Sequence, residues 1–124
     1  MEQRVSDAEL DIMKIIWANE GPALFAHIMD KLTEKGRTWQ KNTVIMLLSR
    51  LVDKGYLKAK KVGRRNEYTP LISETEYQTV QTKNLLNKVY EGNVKGLVSN
   101  LIQSDLLSGE EYEELKKLLE GGNG

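Results

Sequence analysis

The chain of 124 residues is 40% hydrophobic and carries 18 basic and 18 acidic residues, which fits one domain, or one small domain with an appendage, around a real core. The absence of cysteine excludes disulfides, thiolate metal sites and a cysteine nucleophile. Because no apolar run approaches the roughly 20 residues of a membrane span, and residues 1–6 lack the apolar segment of a signal peptide, we expect a cytoplasmic protein without membrane insertion.

Serine and glutamate residues three positions apart predict the starts of three helices. In such a capping box the serine hydroxyl accepts a hydrogen bond from the glutamate N–H, and the glutamate side chain accepts one from the serine N–H. The signature marks each helix start independently of the apolar pattern. The three pairs are Ser6 and Glu9, Ser73 and Glu76, and Ser108 and Glu111.

Apolar residues at helical spacing predict the first two helices. The first helix ends before Gly21, and the second runs from about Ala23 to Lys35 and stops at Gly36. Their inward-facing residues are Leu10, Met13, Ile16 and Trp17 in the first helix and Leu24, Ile28 and Leu32 in the second.

A third amphipathic helix is predicted over residues 40–54, and two short strands follow at once. We expect the strands over Tyr56–Lys61 and Asn66–Leu71, joined by a turn at Val62-Gly63. A helix with one buried face, followed by a hairpin, is typical of a winged helix-turn-helix domain. There the helix enters the DNA major groove and the hairpin, called the wing, contacts neighbouring phosphates. The buried stripe of the helix comprises Val44, Leu47, Leu48, Leu51 and Val52.

Positive charge is concentrated in the same stretch, although the whole chain is neutral. Between Arg37 and Arg65 there are nine basic residues and one acidic residue, Asp53. Any single lysine could merely solvate the surface, but such an excess on one helix–hairpin unit favours a nucleic-acid partner. The nine are Arg37, Lys41, Arg50, Lys54, Lys58, Lys60, Lys61, Arg64 and Arg65.

The third helix and the wing supply the candidate DNA-binding residues. Asn42 could pair with adenine, and Ile45 or Met46 could contact a thymine methyl group. Cations of the wing, Lys60, Arg64 and Arg65, are expected to hold phosphates. The outward face and first turn of the helix comprise Lys41, Asn42, Thr43, Ile45, Met46 and Arg50.

The C-terminal third carries three further predicted helices, over about 74–91, 94–102 and 109–120, before a tail at 121–124 that is expected to fray. These helices are apolar on one side but too few to enclose a core. We therefore expect burial against a second copy of the chain, with folding back onto the first domain as the alternative. The predicted seam comprises Leu85, Leu86, Val89, Tyr90, Val94, Leu97, Val98, Leu101, Ile102, Leu115, Leu118 and Leu119.

Residues suited to catalysis or to a cofactor are few. His27 is the only histidine and lies in the middle of a predicted helix, and no serine–histidine–aspartate set or glycine-rich phosphate loop can be assembled. We therefore predict no catalytic residues, no metal site and no cofactor. A solvated helix face accounts better for the glutamates of residues 110–114 than a metal site does.

Several segments of the chain resemble the penicillinase and methicillin repressors, the BlaI/MecI/CopY family. The likeness extends over nearly the whole chain. The segments are SDAELDIMKIIW (6–17), NTVIMLLSRLVDKGYL (42–57), YTPL (68–71), LNKVYEG (86–92), LVSNL (97–101) and LSGEEYEEL (107–115).

The resemblance implies a dimeric repressor of palindromic operators before β-lactamase or other resistance genes. It also implies release when a membrane-bound sensor-transducer detects β-lactam and the repressor is cleaved in its dimerisation domain. The matching step in this chain is Asn100–Leu101. Two departures are apparent. The chain lacks the cysteines of the copper-responsive branch, and Trp39-Gln40-Lys41 stands where many relatives have Trp-Ser-Pro.

The sequence thus predicts a mainly α protein with a small β-hairpin wing: a winged helix-turn-helix domain over 1–72 and an α-helical dimerisation domain over 73–124. The predicted function is that of a homodimeric transcriptional repressor whose partners are double-stranded operator DNA and a second copy of itself. The resemblance adds a membrane-bound sensor-transducer protease pathway as a further partner. A winged-helix protein-interaction module without an operator is the alternative, and a small hydrolase is a more remote one.

Overall fold

The structure, a computed structural model, describes residues 4–121. Of the tail expected to fray, residues 122–124 lie outside this range, and Gly121 ends the last helix. The chain forms two compact units that divide between Gln78 and Thr79, a few residues beyond the boundary predicted at Ile72. In chain order the elements are α1 (Asp7–Ala18), β1 (Ala23–Leu24), α2 (Phe25–Glu34), α3 (Lys41–Asp53), β2 (Leu57–Val62), β3 (Arg65–Pro70), α4 (Glu74–Tyr90), α5 (Val94–Gln103) and α6 (Gly109–Gly121).

All three predicted capping boxes are formed, at the starts of α1, α4 and α6. At α1 the Glu9 N–H donates to Ser6 Oγ over 3.1 Å, and the Ser6 N–H donates to Glu9 Oε1 over 2.9 Å. The other two boxes have the same pair of bonds at 2.9–3.0 Å. Hydrogen bonds from the backbone N–H and then the hydroxyl of the capping serine lower the pKa of Glu76 and of Glu111.

The first unit contains the whole apolar core. One face of each of α1, α2 and α3 meets the sheet there, and Gly55, at φ 86°, turns the chain from α3 into β2. The predicted stripe of α3 is confirmed, except that Val52 is only half-buried. The core residues are Ile12, Met13, Ile15, Ile16, Ala23, Ile28, Leu32, Val44, Leu47, Leu48, Leu51, Leu57 and Tyr68.

The sheet has three antiparallel strands in the order β1-β3-β2. The predicted hairpin is confirmed, with Leu57 opposite Pro70 and Val62 opposite Arg65, but its turn lies at Gly63-Arg64, one residue later than predicted. The prediction that the second helix begins at Ala23 is wrong, because Ala23 and Leu24 form a strand opposite Tyr68 and Glu67. The outer edge of β3 offers backbone hydrogen bonds that local sequence patterns do not reveal.

The first turn of α4 belongs to the first unit. Trp17 Nε1 donates to Ile72 O over 2.9 Å, and the ring centroids of Trp17 and Tyr77 lie 5.5 Å apart. Tyr56 adds an edge-on contact to Tyr77 at 6.2 Å. These aromatic contacts explain why the compact unit extends past Ile72 to Gln78.

The second unit, which comprises the rest of α4 with α5 and α6, has no core of its own. From Thr69 to Gly121 no residue is buried. Asn93 caps α5 by accepting a hydrogen bond from the Gly96 N–H over 3.0 Å. Within residues 4–121, no helix combines the length and the apolar composition needed to cross a membrane.

Candidate nucleic-acid interface

The face of α3 opposite the core is open to solvent. Ile45 and Met46 are 45% and 44% exposed there, beside the polar side chains of Asn42, Ser49 and Arg50. The buried stripe holds the backbone of the helix in place, so these exposed side chains are presented from a rigid element. Ser49 was not among the predicted contact residues, although its position three residues after Met46 places it on the same face.

The N-terminus of α3 is also open. Its N-cap residue, Gln40, makes no side-chain capping hydrogen bond, as the absence of a serine at this position predicted. Lys41, in the first turn, lies with its Nζ 6.0 Å from the centre of the Phe25 ring. The first-turn N–H groups of α3 and the Lys41 ammonium therefore form an exposed positive site at one end of the outward face.

Strand alternation assigns the cations of the wing to two faces. Lys61 lies opposite Asn66, on the face that also carries Leu57 and Tyr68 towards the helices. Lys60 lies on the other face, opposite Glu67. The predicted phosphate-binding set included Lys60 but not Lys61, and the alternation shows that Lys61 is the one on the helix side.

A groove with a cavity volume of about 510 Å³ joins α3 to the wing. Apolar side chains of α2 and α3 form one part of it, and cationic side chains form another. The groove brings four of the predicted DNA-binding residues together, namely Lys41, Ile45, Arg64 and Arg65. Its lining comprises Leu24, Phe25, Ala26, Lys41, Ile45, Arg64, Arg65 and Asn66.

Two of the nine cations are neutralised by acidic residues of α1. Arg37 Nη2 lies 3.1 Å from Asp11 Oδ2, and Lys54 Nζ lies 2.6 Å from Glu9 Oε1. Within residues 4–121 the other seven have no carboxylate within 4.0 Å. The surface charge of this stretch is thus smaller than the sequence count implied, and it concentrates on α3 and the wing.

The residues predicted for dimerisation and for cleavage lie on the three C-terminal helices. Large apolar side chains are exposed on each, including Val89 on α4, Val98 on α5 and Leu119 on α6. Asn100 and Leu101 are both exposed, in the second half of α5. The Ser104 hydroxyl donates to Asn100 Oδ1 over 3.3 Å.

Comparison with known proteins identifies relatives along the whole chain. The family model for the penicillinase repressor matches residues 5–121. The penicillinase repressor of Bacillus licheniformis is 39% identical over 117 residues, which cover 94% of this chain and 90% of the relative. The methicillin resistance regulatory protein MecI of Mammaliicoccus sciuri is 34% identical over 115 residues, 93% of this chain and 92% of the relative.

Two solved structures resemble the fold. The solution structure of the DNA-binding domain of the repressor BlaI has a TM-score of 0.54 and 38% identity, and covers 62% of this chain and 94% of its own. The monomeric form of Bacillus licheniformis BlaI, in complex with the blaP half-operator, has a TM-score of 0.51 at the same identity and coverage. The winged-helix fold of the first unit is thereby confirmed.

The wing cations give a first test of this surface. The double substitution Arg64→Ala, Arg65→Ala should weaken binding to all DNA sequences alike. The variant would make fewer phosphate contacts, so fewer counterions would be released from the DNA on binding. The slope of log K against log salt concentration should become shallower by about 1.8. The matched control is Lys116→Ala, Lys117→Ala, which removes the same charge from α6. Fluorescence anisotropy at four salt concentrations gives both slopes, and an unchanged slope for the wing variant would contradict the assignment.

Proposed function

The chain belongs to the penicillinase repressor family, and on that basis we propose that it is a homodimeric transcriptional repressor that binds palindromic operator DNA. The family consists of transcriptional repressors and not of enzymes. The observation that carries the proposal is the outward face of α3, where exposed Ile45 and Met46 adjoin a groove lined by three cations. The relatives named for penicillinase and methicillin resistance support β-lactamase or other resistance genes as its targets.

We propose that α3 lies in the major groove of DNA. A helix with its side chains is about 10–12 Å across, and the major groove is about 12 Å wide. The outward residues supply both kinds of base contact, since Asn42 can bond to adenine N6 and N7 while Ile45 and Met46 can meet thymine methyl groups. Ser49 and Arg50 extend the same surface towards the C-terminal half of the helix, and Thr43 lies in its first turn.

Phosphates on either side of the groove would be held by two elements. One is the uncapped N-terminus of α3 with Lys41, where the helix dipole and the ammonium attract the same anion. The other is the wing, with Lys60, Arg64 and Arg65 as proposed contacts. Lys61 joins them because its side of the hairpin is the one that faces the helices.

Asn42 tests base readout. The Asn42→Ala substitution should lower the affinity for the operator by about 1–3 kcal/mol and leave the affinity for scrambled DNA nearly unchanged. The operator is first selected from random duplexes with the wild-type protein. Asn87→Ala, on exposed α4, is the matched control. An equal loss of affinity for both DNAs would mean that Asn42 contacts the DNA backbone and not a base. A wild type without any sequence preference would favour the protein-interaction module.

We propose that the second unit makes the dimer. Its helices bury no residue within the chain, yet each exposes large apolar side chains, and such a surface requires a partner. A second copy of the chain fits best, because a twofold dimer presents two copies of α3 to the two halves of a palindrome.

Leu97 tests the dimer. A charge introduced by Leu97→Asp would be buried without a partner in the seam, so the variant should be mostly monomeric where the wild type is a dimer. Gln103→Asp places the same charge on the opposite side of α5 and should leave the dimer intact. Analytical ultracentrifugation at micromolar concentration measures both. A monomeric wild type would refute the dimer and, with it, the palindromic operator.

Inactivation is proposed to follow cleavage at Asn100–Leu101, through a sensor-transducer protease pathway acting in the cytoplasm. Each winged-helix unit alone contacts half of a palindrome, and linkage to a second unit raises affinity through effective concentration. Cleavage would separate Leu101, Ile102 and all of α6 from the winged-helix unit. Both residues of the step are exposed in the single chain, so access depends on how far the seam covers α5.

A fragment of residues 1–100 tests this switch. It keeps every core residue of the first unit, since the last of these is Tyr68, but it loses much of the proposed seam. The fragment should bind the full operator about 100-fold more weakly than the whole chain, and a half-operator about equally. Quantitative gel-shift titration of both DNAs gives the comparison. Equal operator affinity with an intact dimer would rule out cleavage at this step as the switch.

A further inference from the structure

Lys54, one of the nine cations, bonds to α1 and to the segment before it. It is the C-cap residue of α3, and its ammonium donates to Glu9 Oε1 over 2.6 Å and to Arg4 O over 2.8 Å. Glu9 is 1% exposed and is the one buried charged residue among residues 4–121. The same Oε1 atom also accepts from the Ser6 N–H. One buried carboxylate therefore closes the cap of α1 and holds the end of α3.

The ionised pair is the favoured state of this contact. Burial raises the pKa of Glu9, but the hydrogen bonds from Lys54 and Ser6, together with the charge of Lys54, outweigh burial, so that the pKa lies below its usual value. Removal of either partner would leave the other charge without its counter-ion in a largely dry site. The Lys54 ammonium is thus held in an ion pair with α1.

A second ion pair joins α1 to the segment that precedes α3 in the chain. Arg37, in the turn between α2 and α3, lies 3.1 Å from Asp11, and its guanidinium carbon lies 6.0 Å from the centre of the Trp39 ring. The segments before and after the helix are therefore both tied to α1. Of the two pairs, only Glu9–Lys54 is built on a fully buried carboxylate.

We propose that Lys54 is a positioning residue for base recognition and does not contact phosphate. The inference rests on the proposed operator binding. With 13 residues, α3 is about 20 Å long, so a small tilt of its axis at the Lys54 end displaces the side chains of its first turn relative to the bases. Base contacts require placement within about 0.5 Å, whereas phosphate contacts through long side chains tolerate more. Loss of the pair should therefore reduce sequence discrimination and spare the electrostatic part of binding.

The test compares full-length variants on the selected operator and on scrambled DNA at several salt concentrations, well below the unfolding temperature. Lys54→Met should lower the ratio of operator to scrambled affinity by about fivefold or more, the value of one base contact, with an unchanged salt slope. Lys54→Arg should restore much of the ratio. Lys41→Met, at a proposed phosphate contact, should instead make the slope shallower by about 0.9. Lys14→Met, at an exposed position of α1, is the control expected to change neither quantity.

Glu9→Gln provides a second route to the same answer. Glutamine retains the size of glutamate and can still accept from the Ser6 N–H, but it lacks the charge that holds Lys54. The ratio of its operator affinity to its scrambled-DNA affinity should fall as much as it does for Lys54→Met. The double variant that combines both substitutions should show no further fall in this ratio. Circular dichroism establishes that each variant is folded, and if Lys54→Met is not, Glu9→Gln decides the question.

Three results would overturn the inference. A shallower salt slope on both DNAs for Lys54→Met would make Lys54 a phosphate contact. An unchanged ratio in folded variants would reduce the pair to a contribution to stability, while wild-type operator preference would leave the proposed function standing. A wild type without operator preference would overturn the proposed function and this inference with it.

Discussion

Burial of one face of α3 is the constraint on which the rest of the structure depends. Val44, Leu48 and Leu51 are fully buried against α1, α2 and the sheet, so the helix cannot turn about its axis without exposing them. That restriction fixes which side chains remain outside. Asn42, Ile45 and Met46 are therefore held at defined positions on a rigid element, which is the arrangement that base recognition requires.

The two units differ in whether they contain an apolar core. Among residues 4–121, all the buried residues lie in the range from Glu9 to Tyr68, so the first unit has its own core, whereas the helices that follow expose their apolar side chains. If the second unit pairs as proposed, the affinity for an operator depends on the covalent link between it and the winged-helix unit. The proposed cleavage at Asn100–Leu101, in α5 of the second unit, would break this link and leave the core of the winged-helix unit intact.

Charge follows the same division once ion pairs are considered. The neutral net charge of the chain conceals a cationic α3 and wing and an acidic α6. Two cations that flank α3, Arg37 before the helix and Lys54 at its C-cap, are paired with Asp11 and Glu9 and so contribute to the placement of the helix. Counting residues along the sequence cannot separate cations that hold the fold from cations that meet a partner.

Local interactions were determined by the sequence itself. The capping boxes at Ser6, Ser73 and Ser108, the buried stripe of α3 and the hairpin depend on residues only a few positions apart, and all are present in the structure. The tertiary structure decided what depends on distant residues. The β1 strand exists because the edge of β3 lies beside Ala23, and Glu9 meets Lys54 across 45 positions. Lys61 is directed towards the helices by the register of the hairpin, and such long-range geometry leaves no periodic signal in the chain.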